Sequence, residues 1–190
     1  MKCTTNFNYI KLAATATQWN EDRLYFVKEY NKAIDSLAKH NYNIDMAKMF
    51  LAQYEADPDA TISKYGRQQA SMMKKNAIKT IQMSKNQRSS VYVQMADLKK
   101  AVKRNTILTL KIKRAKDWAN KVLNEQLIDH NPALNRETFK TNREWRDAVN
   151  NVKSSVNIKM EWDECSENPA DKQFVSLTMD IKDGVFRKTF

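Results

Sequence analysis

Two parts of this chain carry side chains of the types that do chemistry. In the first, Asp180 and Lys182 stand two residues apart in a stretch of alternating apolar and polar residues, and Glu161 and Asp163 stand near the end of another such stretch. Residues two apart on a strand share a face, so a carboxylate and an ammonium would point together. Paired carboxylates could hold Mg²⁺ while the lysine assists an attacking water. The second part is a concentration of cations. Residues 61–127 hold 16 Lys and Arg against 3 Asp and Glu, whereas 1–60 and 128–190 each carry a net −1, so the whole excess of +11 arises in the middle. Self-repulsion at that density opposes compaction, which makes an anionic partner the economical explanation.

On a helix advancing about 100° per residue, seven of the nine basic side chains between Val91 and Val122 fall within about 140° of arc. They are Lys99, Lys100, Lys103, Arg104, Lys111, Arg114 and Lys121; Lys113 and Lys116 stray from the arc and Asp117 interrupts it. The preceding segment adds Lys64, Arg67, Lys74, Lys75, Lys79, Lys85 and Arg88. Phosphates recur along a line, and each one neutralised releases condensed counterions. The expected nucleic-acid-contacting set is therefore Lys74, Lys75, Lys79 and the seven cations of the arc. Tyr92 and Trp118 fall in or beside the arc, where exposed rings would stack on unpaired bases and covered ones would only pack. Lys outnumbers Arg 24 to 9, which favours phosphate contact over base reading by forked guanidinium groups. An acidic protein partner, or self-association through a helix seam containing Asn105, is the competing expectation. A solvated basic face, with Lys used for its helix propensity, is the plain one.

Asp180-Ile181-Lys182, taken with Glu161 and Asp163, resembles the D/E-x-K arrangement of restriction-type nucleases, which implies Mg²⁺-dependent cleavage. No proline precedes the first carboxylate, and Lys182 runs straight into a turn. Asp180 also has a structural use, pairing with Arg187 across a hairpin. Thr61-Ile-Ser-Lys-Tyr-Gly-Arg resembles a helix-turn-helix with Gly66 at the turn, although Lys75 stands where its second helix needs an apolar residue. Cys3, Cys165, His40 and His130 are too dispersed for a zinc site or a nucleophile–base pair. The two glycines, Gly66 and Gly184, exclude a Gly-rich phosphate loop. A non-enzymatic protein without metal or cofactor is the leading expectation.

These residues need elements to position them. The spacing predicts a helix from Thr17 or Asn20 to Lys39, with Val27, Tyr30, Ile34 and Leu37 inward, and a second one capped by Asn43 with Ile44, Ala47, Phe50, Leu51 and Tyr54 inward. A third runs over 61–85 with Met73, Ala77 and Ile81 inward, and a long one over 90–126 on a seam of alternating three- and four-residue steps. Residues 6–12 read as strand or irregular. Thr141 and Glu144 form a capping box opening a helix through Val152. Val156 to Trp162 and Val175 to Lys182 alternate as strands. Asp183-Gly184 predicts a two-residue hairpin turn pairing Ile181 with Phe186, Leu177 with Phe190 and Asp180 with Arg187.

The expected fold is α+β and mainly helical, a helical bundle with one long basic amphipathic helix. A helical region would span 1–132, including the basic segment 61–127. Residues 133–190 would add a helix and a three-stranded antiparallel β-meander on the same core, giving one domain. No apolar run approaches about 18 residues, so no membrane span is expected. Asn6, Asn8 and Lys11 interrupt any signal-peptide core, and a cytoplasmic, reducing location follows. With 18 asparagines and 2 glycines, the composition suggests a phage or mobile-element accessory protein.

Overall fold

The computed structural model describes residues 2–163, 175–182 and 184–190. The element order is β1 (Lys2–Phe7), α1 (Tyr9–Ala56), α2 (Pro58–Tyr65), α3 (Arg67–Leu123), α4 (Asn142–Ser154), β2 (Ile158–Asp163), β3 (Val175–Ile181) and β4 (Gly184–Thr189). The fold is α+β and mainly helical, as the periodicities require. It separates into two compact units, one of Met1–Leu24 with Val102–Phe190 and one of Tyr25–Ala101.

Fewer and longer helices form than the sequence spacing predicts. Asn8, rather than Thr17 or Asn20, starts α1: its Oδ1 accepts from the Lys11 N–H at 2.9 Å. Thr17 lies inside the helix and donates its hydroxyl to the Ala13 carbonyl at 3.2 Å. No Pro or Gly occurs between Tyr9 and Ala56, so Asn43 continues a helix rather than starting one. Similarly, 61–85 and 90–126 are not separate helices: α3 runs unbroken from Arg67 to Leu123, and Ser89, inside it, donates its hydroxyl to the Lys85 carbonyl at 3.1 Å. A π turn over Asn124–Ile128 closes α3, with the Asp129 N–H bonded to the Asn124 carbonyl at 2.9 Å.

The unit of Tyr25–Ala101 is a helical hairpin. Followed backwards along α1 from Tyr54 to Asn41, the partner on α3 moves forwards from Lys74 to Arg88, so the helices are antiparallel. The connection is α2, capped by Asp57, whose Oδ1 accepts from the Ala60 N–H at 2.9 Å ahead of Pro58 in the first turn. Gly66 follows at φ +80°, a backbone conformation that side chains rarely adopt. It therefore joins α2 to a 57-residue helix instead of forming the turn of a compact helix-turn-helix. The seam buries Ala33, Ile44 and Ala47 from α1 and Ala70, Ala77, Ser84 and Val91 from α3, the last four each seven residues apart. Ile34 faces out at 42% exposure, against its expected inward position. His40 brings a polar group to this seam: its Nε2 is 3.4 Å from Ser36 Oγ, and its Nδ1 is buried with no partner among the described residues.

The other unit is built on a four-stranded antiparallel sheet in the order β1-β2-β3-β4, one strand more than expected, because residues 2–7 pair with β2 from Lys2↔Asp163 to Phe7↔Ile158. One sheet face carries Ile158, Met160, Val175, Leu177, Met179 and Ile181, all buried against Leu12 of α1 and Ile112, Ala115, Ala119 and Leu123 of α3. Burial of each large side chain contributes about 1.5–3 kcal/mol. Trp19 stacks on Trp162 at 5.6 Å, and Thr109 donates its hydroxyl to the Trp19 carbonyl at 3.0 Å. The capping box forms as the sequence requires: the Glu144 N–H reaches Thr141 Oγ1 at 3.1 Å, and the Thr141 N–H reaches Glu144 Oε2 at 3.0 Å.

The hairpin register corrects the expected one. Ile181 pairs with Gly184, Met179 with Phe186 and Thr178 with Arg187, so Gly184 belongs to a strand pair; Asp183, the other residue of the predicted turn, lies outside the described residues. The slip is two residues, so every side chain keeps its face while changing its partner. Asp180 stands opposite Val185 rather than Arg187. Arg187 instead reaches over β3 to Glu161 Oε2 at 3.0 Å, where Ser176 Oγ also donates at 3.3 Å. Lys159 approaches the other oxygen at 3.3 Å, and together these cations hold the Glu161 carboxyl below its ordinary range, Lys159 contributing most.

Lys153 is buried, its Nζ donating to Asn120 Oδ1 at 2.7 Å and lying 5.3 Å from the Tyr9 ring. Burial lowers its pKa below the ordinary 10.5, opposed by the charge of Asp129. The folded chain therefore binds fewer protons than the unfolded one between those two pKa values. Stability of the parent relative to Lys153→Met is expected to rise as pH is raised through that window, read as the difference in urea midpoints from pH 8 to pH 11. In the hairpin, Ala77→Leu is expected to cost about 1–3 kcal/mol by overpacking the seam, measured by urea unfolding.

Candidate nucleic-acid interface

Each unit presents its own part of α3. In the hairpin, burial of Ala70, Ala77, Ser84 and Val91 fixes which way the helix faces. Lys75 lies five residues after Ala70, Lys79 two after Ala77 and Lys100 nine after Val91, each about 140–200° around from the seam. All three are exposed, as are Lys85 and Lys99. The α1 arm over 25–56 carries four cations and four carboxylates, whereas the α3 arm over 67–101 carries eight cations and one carboxylate, so the positive flank belongs to α3 alone. Lys100 is 77% exposed, with Asp97 at 3.7 Å, a separation that leaves its ammonium accessible. Tyr92 is 53% exposed, open enough for a base to meet its ring. Lys74 is less open, because its Nζ lies 4.9 Å from the Tyr54 ring and its stem is half-buried.

In the sheet unit, Lys103, Arg114 and Lys121 are exposed, on the other side of the helix from buried Ile112, Ala115 and Ala119, and Arg104 is exposed although it lies only about 20° around the helix from Ala115. Lys111 is half-buried, and burial pushes its pKa down. Trp118 is half-buried, meeting Phe190 edge-on at 5.8 Å with 61° between the rings. Arg114, Trp118 and Lys121 converge with Asp117, Lys188 and Phe190 around a cleft of about 600 Å³. Lys121 is 72% exposed beside Glu125 at 3.7 Å, and Lys188 Nζ lies 5.7 Å from the Phe190 ring.

The structure thus gathers Arg114, Trp118 and Lys121 into one site. It places Lys74, Lys75, Lys79, Tyr92, Lys99 and Lys100 in the other unit. Lys188 and Phe190 were missed by sequence reasoning, since they lie about seventy residues beyond Trp118 and no local pattern links them to α3. The only available signal was the alternation of β4, which puts 186, 188 and 190 on one face.

Of the nuclease-like set, Glu161 and Asp180 are not brought together, and the side chain of Asp163 lies outside the described residues. Glu161 stands opposite Ser176, four residues along β3 from Asp180, a separation of about 13 Å at the usual strand rise. Glu161 is also engaged by Arg187, Lys159 and Ser176, while Asp180 and Lys182 are exposed at the hairpin end. Among the described residues, no group of three or more His, Cys, Asp or Glu side chains could hold a metal ion. No helix among them is long and apolar enough to cross a membrane.

Comparison with protein families, with curated proteins and with solved structures returned no match. An exposed flank makes its own prediction. The double variant Lys75→Glu/Lys79→Glu is expected to unfold within about 0.5 kcal/mol of the parent, since neither side chain has packing to lose. A larger loss in urea unfolding would mean that these lysines are structural.

Proposed function

We propose that this chain is a non-enzymatic nucleic-acid-binding accessory protein that contacts phosphate backbones through the outward flank of α3. The observation carrying the reading is the division of that helix. Ala70, Ala77, Ser84 and Val91 in one unit, and Ile112, Ala115 and Ala119 in the other, take the packed side. Lys75, Lys79 and Lys100, and Lys103, Arg114 and Lys121, take the open one, with Lys99 and Arg104 exposed at its margin. Lysines on an open helix flank meet phosphates as point charges, with little demand on base identity. The absence of an assembled Glu161–Asp180 pair favours binding over cleavage. The asparagine-rich, glycine-poor composition supports a phage or mobile-element setting, with action in the cytoplasm where nucleic acid is at hand.

Protein docking is the second reading. It is favoured by large apolar side chains exposed on the hairpin, among them Tyr42, Met46, Met49, Met72 and Met83. Gel filtration with and without nuclease separates the two, because a nuclease-sensitive large species supports nucleic-acid binding and a nuclease-resistant one supports protein association.

Binding to duplex DNA is expected to weaken steeply with salt. Contact with six phosphates gives a log–log slope of about −5, measured by fluorescence anisotropy between 50 and 200 mM salt. Reversing Lys75, Lys79 and Lys100 to Glu is expected to make that slope shallower by about 3 and to weaken binding at least tenfold at 100 mM salt. An unchanged slope in the triple variant overturns the assignment.

A further inference from the structure

We propose that the cleft between the C-terminal part of α3 and the end of β4 is a subsite for one unpaired guanine nucleotide of a nucleic-acid strand. This rests on the nucleic-acid-binding reading and adds to it a strand type and a base. Trp118 and Phe190 are each half-buried and meet edge-on at 5.8 Å, so the contact between them leaves part of each ring facing the cleft. A base can lie on such a wall only when its face is free, which a stacked duplex does not allow. Arg114, Lys121 and Lys188 supply three cations at the same cleft, enough to hold the phosphate on either side of the base. Its volume of about 600 Å³ falls within the range of small-molecule sites.

Asp117 turns a general phosphate site into a selective one. The Asp117 carboxylate accepts hydrogen bonds only, so a base edge that meets it must present donors. Guanine presents two adjacent donors on its Watson–Crick edge, N1–H and the N2 amine, matched to the two carboxylate oxygens. Adenine, cytosine and thymine each present a single donor position there. The same cleft would bind a free guanine nucleotide by the same contacts, and the experiment must distinguish a nucleotide from a strand.

The test uses the full chain and anisotropy of 5′-labelled twelve-residue oligothymidylates that carry a single central dG or dA, with a blunt duplex of the dG sequence as a third probe. The dG strand is expected to bind at least fivefold more tightly than the dA strand. Asp117→Ala is expected to abolish that preference while leaving the dA affinity within twofold. Trp118→Leu is expected to weaken both single strands about tenfold and leave the duplex unchanged. Should Trp118→Leu fail to fold by circular dichroism, Phe190→Ala removes the other ring and carries the same expectation. Free dGMP at the same nucleotide concentration is expected to displace less than a tenth of the dG strand. Equal binding of the dG and dA strands, a preference that survives Asp117→Ala, or full displacement by dGMP overturns the subsite. If the subsite fails while salt-sensitive duplex binding persists, the backbone-binding reading stands; if the parent chain binds none of the three probes, that reading fails as well.

Discussion

Burial of one side of α3 is the constraint on which the remainder of the structure depends. The positions removed from water are Ala70, Ala77, Ser84 and Val91 at seven-residue spacing in the hairpin, and Ile112, Ala115, Ala119 and Val122 at spacings of three and four in the other unit. Once Ala70, Ala77, Ser84 and Val91 face α1 in the hairpin, the cations between them have no freedom of direction. Lys75 and Lys79 must point outward, because a lysine turned into that seam would bury an ammonium among alanines, at a cost of several kcal/mol. The same logic acts in the sheet unit, where Ile112, Ala115 and Ala119 meet the sheet and Arg114 and Lys121 do not. Charge segregation therefore follows from packing.

Two cations break the pattern. Lys153 is buried in the sheet unit, and its ammonium persists there by donating to Asn120 and lying against the face of the Tyr9 ring. Arg187 does the opposite: it stays at the surface and crosses β3 to reach Glu161, so one carboxylate gathers Lys159, Ser176 and Arg187 over the outer sheet face. That arrangement draws Glu161 into holding three strands together and away from Asp180. Register thus keeps Glu161 and Asp180 apart, since a strand separation of four residues cannot be closed by side-chain rotation.

Much of the fold is legible without coordinates. The capping box at Thr141 and Glu144 starts α4 as read, the alternation in 158–162 and 175–181 yields β2 and β3, and the long seam from Val91 to Val122 is helical. What misleads is punctuation. Asn43 and Thr17 are good caps in isolation, but a helix with no Pro or Gly has no reason to stop at either. Residues 2–7 show too little alternation to announce a strand, and β1 exists because β2 offers an edge for it to pair with. The hairpin slips by two residues because parity protects the apolar face: Phe186 remains inward-facing opposite Met179 as it would have opposite Ile181.

The same division holds for the candidate interface. Sequence by itself determines that seven of the nine cations between Val91 and Val122 fall on one arc of a helix, because 3.6 residues per turn converts spacing into direction. It also determines that Trp118 lies beside that arc. Only tertiary structure decides that Lys74 covers Tyr54, that Lys111 is drawn partly out of water, and that the chain separates near residues 24 and 101 into two units. It alone brings Lys188 of β4 and the adjoining Phe190 to one cleft with Arg114, Asp117, Trp118 and Lys121. The physical reason is range: helical direction follows from bonds a few residues apart, whereas a cleft between a helix and a distant strand exists only once a whole sheet has chosen its register.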